Sequence, residues 1–197
     1  EKSNNEKDMM LAATLYRLTG KAQQYDSLNT VIAAKFPDGA TAKNAMVTVF
    51  SKETDPVKKE ALYNDFLKKY PESTTEKITT QDNLRLQLAS AYLKKGDIVN
   101  YERVAAQVKN KTNLANALNS VAYPWAQNGE RLADAEKLSK ESLDIINDNV
   151  NNPQGSMYRS ASMVKAENKE MYKYYADTYA LILLKENKLD EALKYEQ

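Results

Sequence analysis

The chain predicts an all-α fold, a stack of helical hairpins, and three observations carry that expectation. Pro37 and Pro71 lie 34 residues apart, and each closes an amphipathic run as Lys35-Phe36-Pro37 or Lys69-Tyr70-Pro71. Gly96 and Gly129 lie 33 residues apart. A period of about 34 residues is the length of one helix–turn–helix unit in proteins built from repeated helix pairs. Only 5 Gly and 5 Pro occur among 197 residues, and they sit where helices would break. No segment alternates apolar and polar residues long enough for a sheet.

The elements follow in order. Met9 to Leu18 carries Leu11, Leu15 and Leu18 at spacings of four and three, the mark of one helical face. Thr19-Gly20 ends it. Tyr25 to Lys35 returns and is stopped by Phe36-Pro37-Asp38-Gly39. Thr41 to Ser51 is the next helix. Asp55-Pro56 then supplies an N-cap and a proline at the first helical position, and Val57 to Lys69 runs up to Pro71. Thr79 to Lys95 ends at Gly96, and Ile98 to Lys109 returns. Asn113 to Gln127 ends at Asn128-Gly129, and Leu132 to Ile146 returns. Residues 147–156, NDNVNNPQGS, read as a loop too polar to pack. A last hairpin runs from Glu167 to Lys185, turns at Glu186-Asn187-Lys188 and restarts at Leu189. The whole of 1–197 reads as one domain of five approximate units: 5–39, 40–74, 75–111, 112–150 and 165–197.

Composition narrows the function classes. Lys plus Arg (28) balances Asp plus Glu (27), for a net charge of +1. No basic stripe points to nucleic acid, and no acidic tail points to a basic partner. No apolar run approaches the ~18 residues that cross a membrane. The chain has no Cys and no His. Disulfides, thiol redox chemistry, Ser-His-Asp catalysis and Cys- or His-based metal sites are therefore outside its own repertoire.

The unit pattern resembles the tetratricopeptide (TPR) repeat. There, a small residue lies inside the first helix, a large one follows three positions on, and Gly or Asn makes the turn. Ala13, Tyr16, Gly20 and Pro37 match in the first unit; Val47, Phe50 and Pro71 match in the second, which lacks a turn glycine. Ala89, Tyr92 and Gly96 match in the third, and Ala122, Trp125 and Gly129 in the fourth. Ala180, Leu183, Asn187 and Ala192 match in the fifth. The resemblance implies a TPR-like right-handed superhelix of about five hairpins. A narrower likeness lies in Lys35 to Ser73, KFPDGATAKNAMVTVFSKETDPVKKEALYNDFLKKYPES, with Lys188 to Tyr195, KLDEALKY, in keeping. It is similar to the helical region preceding the thioredoxin-like domain of bacterial TlpA-type thiol–disulfide oxidoreductases. That resemblance implies an extracytoplasmic bacterial setting, periplasmic or membrane-associated. Its Cys-x-x-Cys site belongs to the following domain, so no catalytic residue carries over to this chain.

In such stacks the first helices line a concave face. The turn residues set a register that puts Thr14, Arg17, Thr41, Asn44, Thr48 and Ser51 there from the first two units. Asn83 and Ser90 follow from the third, Asn116, Asn119 and Tyr123 from the fourth, and Tyr174 and Asp177 from the fifth. Asn44, Thr48, Asn83, Asn116, Asn119, Tyr123 and Tyr174 are the candidate binding residues. The bland alternative is that they are ordinary solvated helix faces. Tyr172, Tyr175 and Tyr179 share one face at spacings of three and four and read as inter-helix packing, and Trp125 as a core aromatic. Tyr123-Pro124-Trp125 puts a proline inside a helix, where it removes one backbone hydrogen bond. The acidic pairs Asp134/Glu136 and Asp144/Asp148 read as solvated helix charge.

The expectation is a non-catalytic interaction module with no cofactor and no metal. Its partner would be a protein or peptide, or the C-terminal thioredoxin-like domain of the same protein, without nucleic acid or membrane insertion. A freestanding TPR-type adaptor is the first alternative. An all-α enzyme built on carboxylates, Lys or Tyr is the second. The fifth unit also predicts a longer protein, because its second helix starts near Leu189 and has begun an apolar face with Ala192, Leu193 and Tyr195. Sequencing past residue 197 is expected to show a thioredoxin-like domain with a Cys-x-x-Cys pair. A stop codon within a few residues would defeat that expectation.

Overall fold

A computed structural model describes residues 5–71 and 80–195. The described residues form ten α-helices and no strand beyond one isolated bridge between Ser156 and Arg159. The chain divides into two compact units, 1–72 and 73–197.

The first unit contains α1 (Glu6–Leu18), α2 (Ala22–Lys35), α3 (Ala40–Lys52) and α4 (Pro56–Lys69), each packed on the next. Asn5 caps α1, its side chain accepting from the Lys7 amide at 2.9 Å. Asp55 caps α4 from the Lys58 amide at 3.0 Å, with Pro56 at the first helical position as the sequence implies. The α1–α2 turn places Gly20 at φ +72°, and Lys21 N–H reaches back to Tyr16 C=O at 2.9 Å. That is the six-to-one bond of a Schellman turn, which needs a left-handed residue. The α3–α4 turn has no glycine and is closed differently. Lys59, 5% exposed, donates from Nζ to the carbonyls of Phe50 and Glu53 at 2.8 and 2.9 Å and lies 4.3 Å from the Phe50 ring centroid. A buried cation thus occupies the negative end of α3. The opposite end meets Glu6, whose Oε1 accepts from the Thr41 amide at 3.1 Å and fills the space beside Gly39. The two Lys-aromatic-Pro corners meet, Lys69 Nζ donating to Pro37 C=O at 2.5 Å.

One apolar pattern reads differently in the fold. Leu11, Leu15 and Leu18 identify α1 as a helix, yet they stay 63%, 56% and 72% exposed. What α1 buries is Ala13 on the opposite side, where a methyl group lets α1 approach its neighbour closely.

The second unit contains α5 (Thr80–Lys94), α6 (Ile98–Ala105), α7 (Lys111–Asn128), α8 (Leu132–Asn151), α9 (Ala161–Lys185) and α10 (Leu189–Ala192). Consecutive pairs α5/α6, α7/α8, α8/α9 and α9/α10 pack together, and α7 also touches both α5 and α9. Gly96, Gly129 and Asn187 repeat the Gly20 turn at φ +77°, +69° and +64°. Their following amides reach Tyr92, Trp125 and Leu183 carbonyls at 3.0, 2.8 and 2.8 Å. Ala89, Ala122 and Ala180 are buried, as their place in the pattern requires. Tyr175 and Tyr179 pack among Ala115, Leu143, Ile146 and Leu183, and the Tyr195 ring meets Tyr179 edge-on at 4.9 Å.

Helices α1, α2 and α7 start two or three residues earlier than expected, at Glu6, Ala22 and Lys111, and three other boundaries shift further. The return helix from Ile98 stops at Ala105 rather than Lys109, because the buried Asp82 carboxylate takes the amides of Lys109 and Asn110 at 2.7 and 3.0 Å. Residues 147–151 of the expected loop are the last turn of α8. Its asparagines find partners: Asn149 Nδ2 donates to Thr112 Oγ1 at 3.1 Å, and Asn152 Nδ2 to Asp148 at 2.8 Å. Helix α9 begins at Ala161 rather than Glu167, capped by Ser160, which accepts from the Met163 amide at 3.2 Å. Helix α7 continues through Pro124 to Asn128. The expected start at Thr79 and the boundary at 74/75 lie outside the described residues.

Ala122 has no exposed surface and sits in a helix with neighbours on several sides. Ala122→Leu is expected to overpack that site and cost about 1–3 kcal/mol. A thermal melt checks this; a variant melting with the parent would show that the crossing has room to spare.

Candidate functional site

The concave-face candidates divide between the two units. Asn44 and Thr48 lie on α3, exposed, and the structure brings them to a groove of about 590 Å³ formed within the first unit. Helix α1 contributes Met10, Ala13 and Thr14, and α3 adds Thr41, Ala45 and Val49. Helix α2 supplies the third side with Tyr25, Asp26, Asn29, Thr30 and Ala33. Assigning the face to first helices alone misses this set. The α2 residues recur at a spacing of four, as Tyr25/Asn29/Ala33 and Asp26/Thr30, so their common face was readable. That it points inward was not. Arg17 and Ser51 are exposed and outside the groove lining.

The groove is mixed in character. Met10, Ala13, Ala33, Ala45 and Val49 give hydrocarbon, and the threonines and asparagines give polar atoms. Charged residues make up 28% of the chain, yet Asp26 is the one charged residue among thirteen lining it. The volume falls within the range typical of ligand sites.

The remaining candidates lie in the second unit and do not form one described cavity. Asn83 is exposed on α5. Asn116 on α7 accepts from the Tyr175 hydroxyl of α9, tying the two helices together. Asn119, a turn further along, is half-buried. Tyr123 is exposed, and its hydroxyl accepts from Gln127 Nε2 at 2.7 Å within α7. Tyr174 is exposed on α9, beside the buried Tyr175. The acidic pairs are held by partners: Asp134 by Arg131 at 2.6 Å, Glu136 by Lys188 at 2.9 Å, and Asp144 by Lys140. Asp148 accepts from Asn152. Among the described residues no group of three or more His, Cys, Asp or Glu is placed to hold a metal ion. No helix there is long and apolar enough to cross a membrane.

Burial shapes the electrostatics of the α6–α8 contact. It raises the Glu141 carboxyl above the usual glutamate range, with Glu102 acting in the same direction and Lys137 and Lys111 opposing. It also pushes the neighbouring Tyr101 hydroxyl well up. The Tyr175 hydroxyl is pushed up to about 12, again by burial.

No family model, no curated protein and no solved structure matches this chain.

Glu141 carries a testable consequence. A carboxyl whose pKa is raised by folding binds its proton more tightly in the native state, so its contribution is complete below the ordinary glutamate range. That contribution is lost as pH rises through the raised value. Glu141→Gln removes the titration. The variant is expected to gain stability relative to the parent as pH climbs from acidic to neutral. Parallel melting curves at every pH would refute the assignment.

Proposed function

We propose that this chain is a non-catalytic, TPR-like interaction module, the accessory region of an extracytoplasmic thiol–disulfide oxidoreductase. Its role is to position the redox domain or present substrates to it. One observation carries the repeat reading. A buried alanine precedes a left-handed turn residue by the same seven positions four times: Ala13/Gly20, Ala89/Gly96, Ala122/Gly129 and Ala180/Asn187. Each time the large residue three positions after the alanine, namely Tyr16, Tyr92, Trp125 and Leu183, offers the carbonyl that closes the turn. Repeats of this kind expose extended faces suited to binding. The groove of the first unit is one such face. The redox context rests on the likeness of Lys35 to Ser73 stated above.

Lacking thiols, the segment cannot exchange disulfides by itself. In an insulin-reduction assay the purified chain is expected to be inert. The protein encoded by the whole gene should reduce insulin through its own Cys-x-x-Cys pair. Deleting residues 1–197 should spare reduction of a small disulfide while weakening action on a protein substrate. Disulfide reduction by the isolated chain, or a whole protein with no such pair, would overturn the redox assignment.

A further inference from the structure

We propose that the groove of the first unit binds an aliphatic chain ending in an ammonium or guanidinium, the chemistry of a lysine or arginine side chain, with its cationic end at Asp26. The inference rests on the reading of the chain as an interaction module and names what one of its faces takes.

Hydrogen-bond accounting sets the polarity. The hydroxyl protons of Thr14, Thr30 and Thr48 are already donated to the carbonyls of Met10, Asp26 and Asn44, at 2.9, 3.0 and 2.9 Å. A hydroxyl has one proton and two lone pairs. These three therefore meet a ligand as acceptors. Asp26 adds a carboxylate, also an acceptor, and no Lys or Arg of the described residues lies within ion-pair distance of it. The described lining thus sets these acceptors beside one negative charge and no cation; its available side-chain donors are the hydroxyls of Tyr25 and Thr41 and the amides of Asn29 and Asn44.

The hydrocarbon part agrees. Met10, Ala13, Ala33, Ala45 and Val49 give an apolar side against which a methylene stem can lie while its charged head reaches polar atoms. Asn29 and Asn44, facing from α2 and α3, each offer a donor and an acceptor, the pair that a peptide group requires. An anionic ligand would meet the Asp26 carboxylate with no cation to offset it. A purely apolar ligand would cover that carboxylate without pairing it, which costs free energy.

The test is an NMR titration of the full 197-residue chain with four probes: acetyl-Ala-Lys-Ala-amide, its norleucine and glutamate counterparts, and cadaverine. The lysine peptide is expected to shift the amides of Asn29, Ala33 and Asn44 and to bind better than the norleucine and glutamate peptides. Its affinity should weaken with salt and fall about fivefold in D26N, the loss an exposed ion pair allows. Asp26 is exposed, so D26N is expected to fold, and its unperturbed spectrum checks that. A45W, which fills the groove without touching the charge, should abolish the shifts. Cadaverine binding as well as the lysine peptide identifies a free amine as a sufficient ligand; weaker cadaverine binding shows that the peptide main chain is read too. Equal response to the lysine, norleucine and glutamate peptides, shifts confined to other helices, or no effect of D26N would each overturn the proposal. If D26N and A45W leave the action of the whole protein on its protein substrate intact, the groove is not the working face, and the interaction-module reading stands without it.

Discussion

The ten helices of the described residues create a problem that governs this molecule: each end leaves backbone N–H or C=O groups without an intrahelical partner. The chain meets that demand in two ways. Local solutions are the Schellman turns at Gly20, Gly96, Gly129 and Asn187 and the caps from Asn5, Asp55, Asp97, Asn110 and Ser160. Distant side chains serve elsewhere. Glu6 of α1 reaches the positive end of α3, and Lys59 of α4 reaches its negative end. Helix α3 is thereby complemented at both poles by neighbours, and capping and packing become one interaction. Asp82 acts likewise in the second unit, where it holds the α6–α7 connection and pairs with Arg85 at 3.3 Å.

Magnitudes show which of these matter most. Exposed pairs such as Lys68–Asp65 or Lys173–Glu170 contribute about 0–1 kcal/mol. Asp82 and Arg85 are 1% and 6% exposed, and removing one member of a buried pair costs about 3–5 kcal/mol. Arg85 also donates to the Gln107 carbonyl at 3.2 Å, so the pair grips the connection from two directions. This explains how α6 ends after eight residues without a glycine. The buried alanines work alongside, since a small residue at each crossing lets the helices approach closely enough for such reach.

What could be read from the sequence was what local chemistry decides. A glycine or asparagine seven positions after a small residue marks a turn because only residues tolerant of positive φ close it cheaply. Asp55-Pro56 marks a helix start for an equally local reason. Long-range partners left no such trace. Asp82 lies 27 residues from the Lys109 amide it holds, so nothing near Ala105 announces the end of α6. The asparagines of 147–151 carry a loop composition, yet tertiary contact with Thr112 helps keep them helical. The leucine stripe of α1 marked a helix and one of its faces, and that face stays exposed while Ala13 is buried, because periodicity locates a face without saying what it meets. The candidate residues followed the same division. Asn44 and Thr48, which line the groove, were named because they sit on a first helix. The α2 wall of the groove was not, because only packing turns it inward.

The constraint on helix backbones reaches as far as the groove. Threonine inside a helix tends to donate its hydroxyl to the carbonyl four residues earlier, and Thr14, Thr30 and Thr48 all do so. That bond is a local matter of helix chemistry. Its consequence is not local, because it removes three donors from one surface and leaves lone pairs in their place. Beside Asp26 those lone pairs give the groove a preference in sign that its residue names alone do not display. A threonine counted from sequence is both donor and acceptor; a threonine whose proton is engaged is an acceptor only. The recognition chemistry of this face is therefore set by the same hydrogen-bond accounting that decides where its helices begin and end.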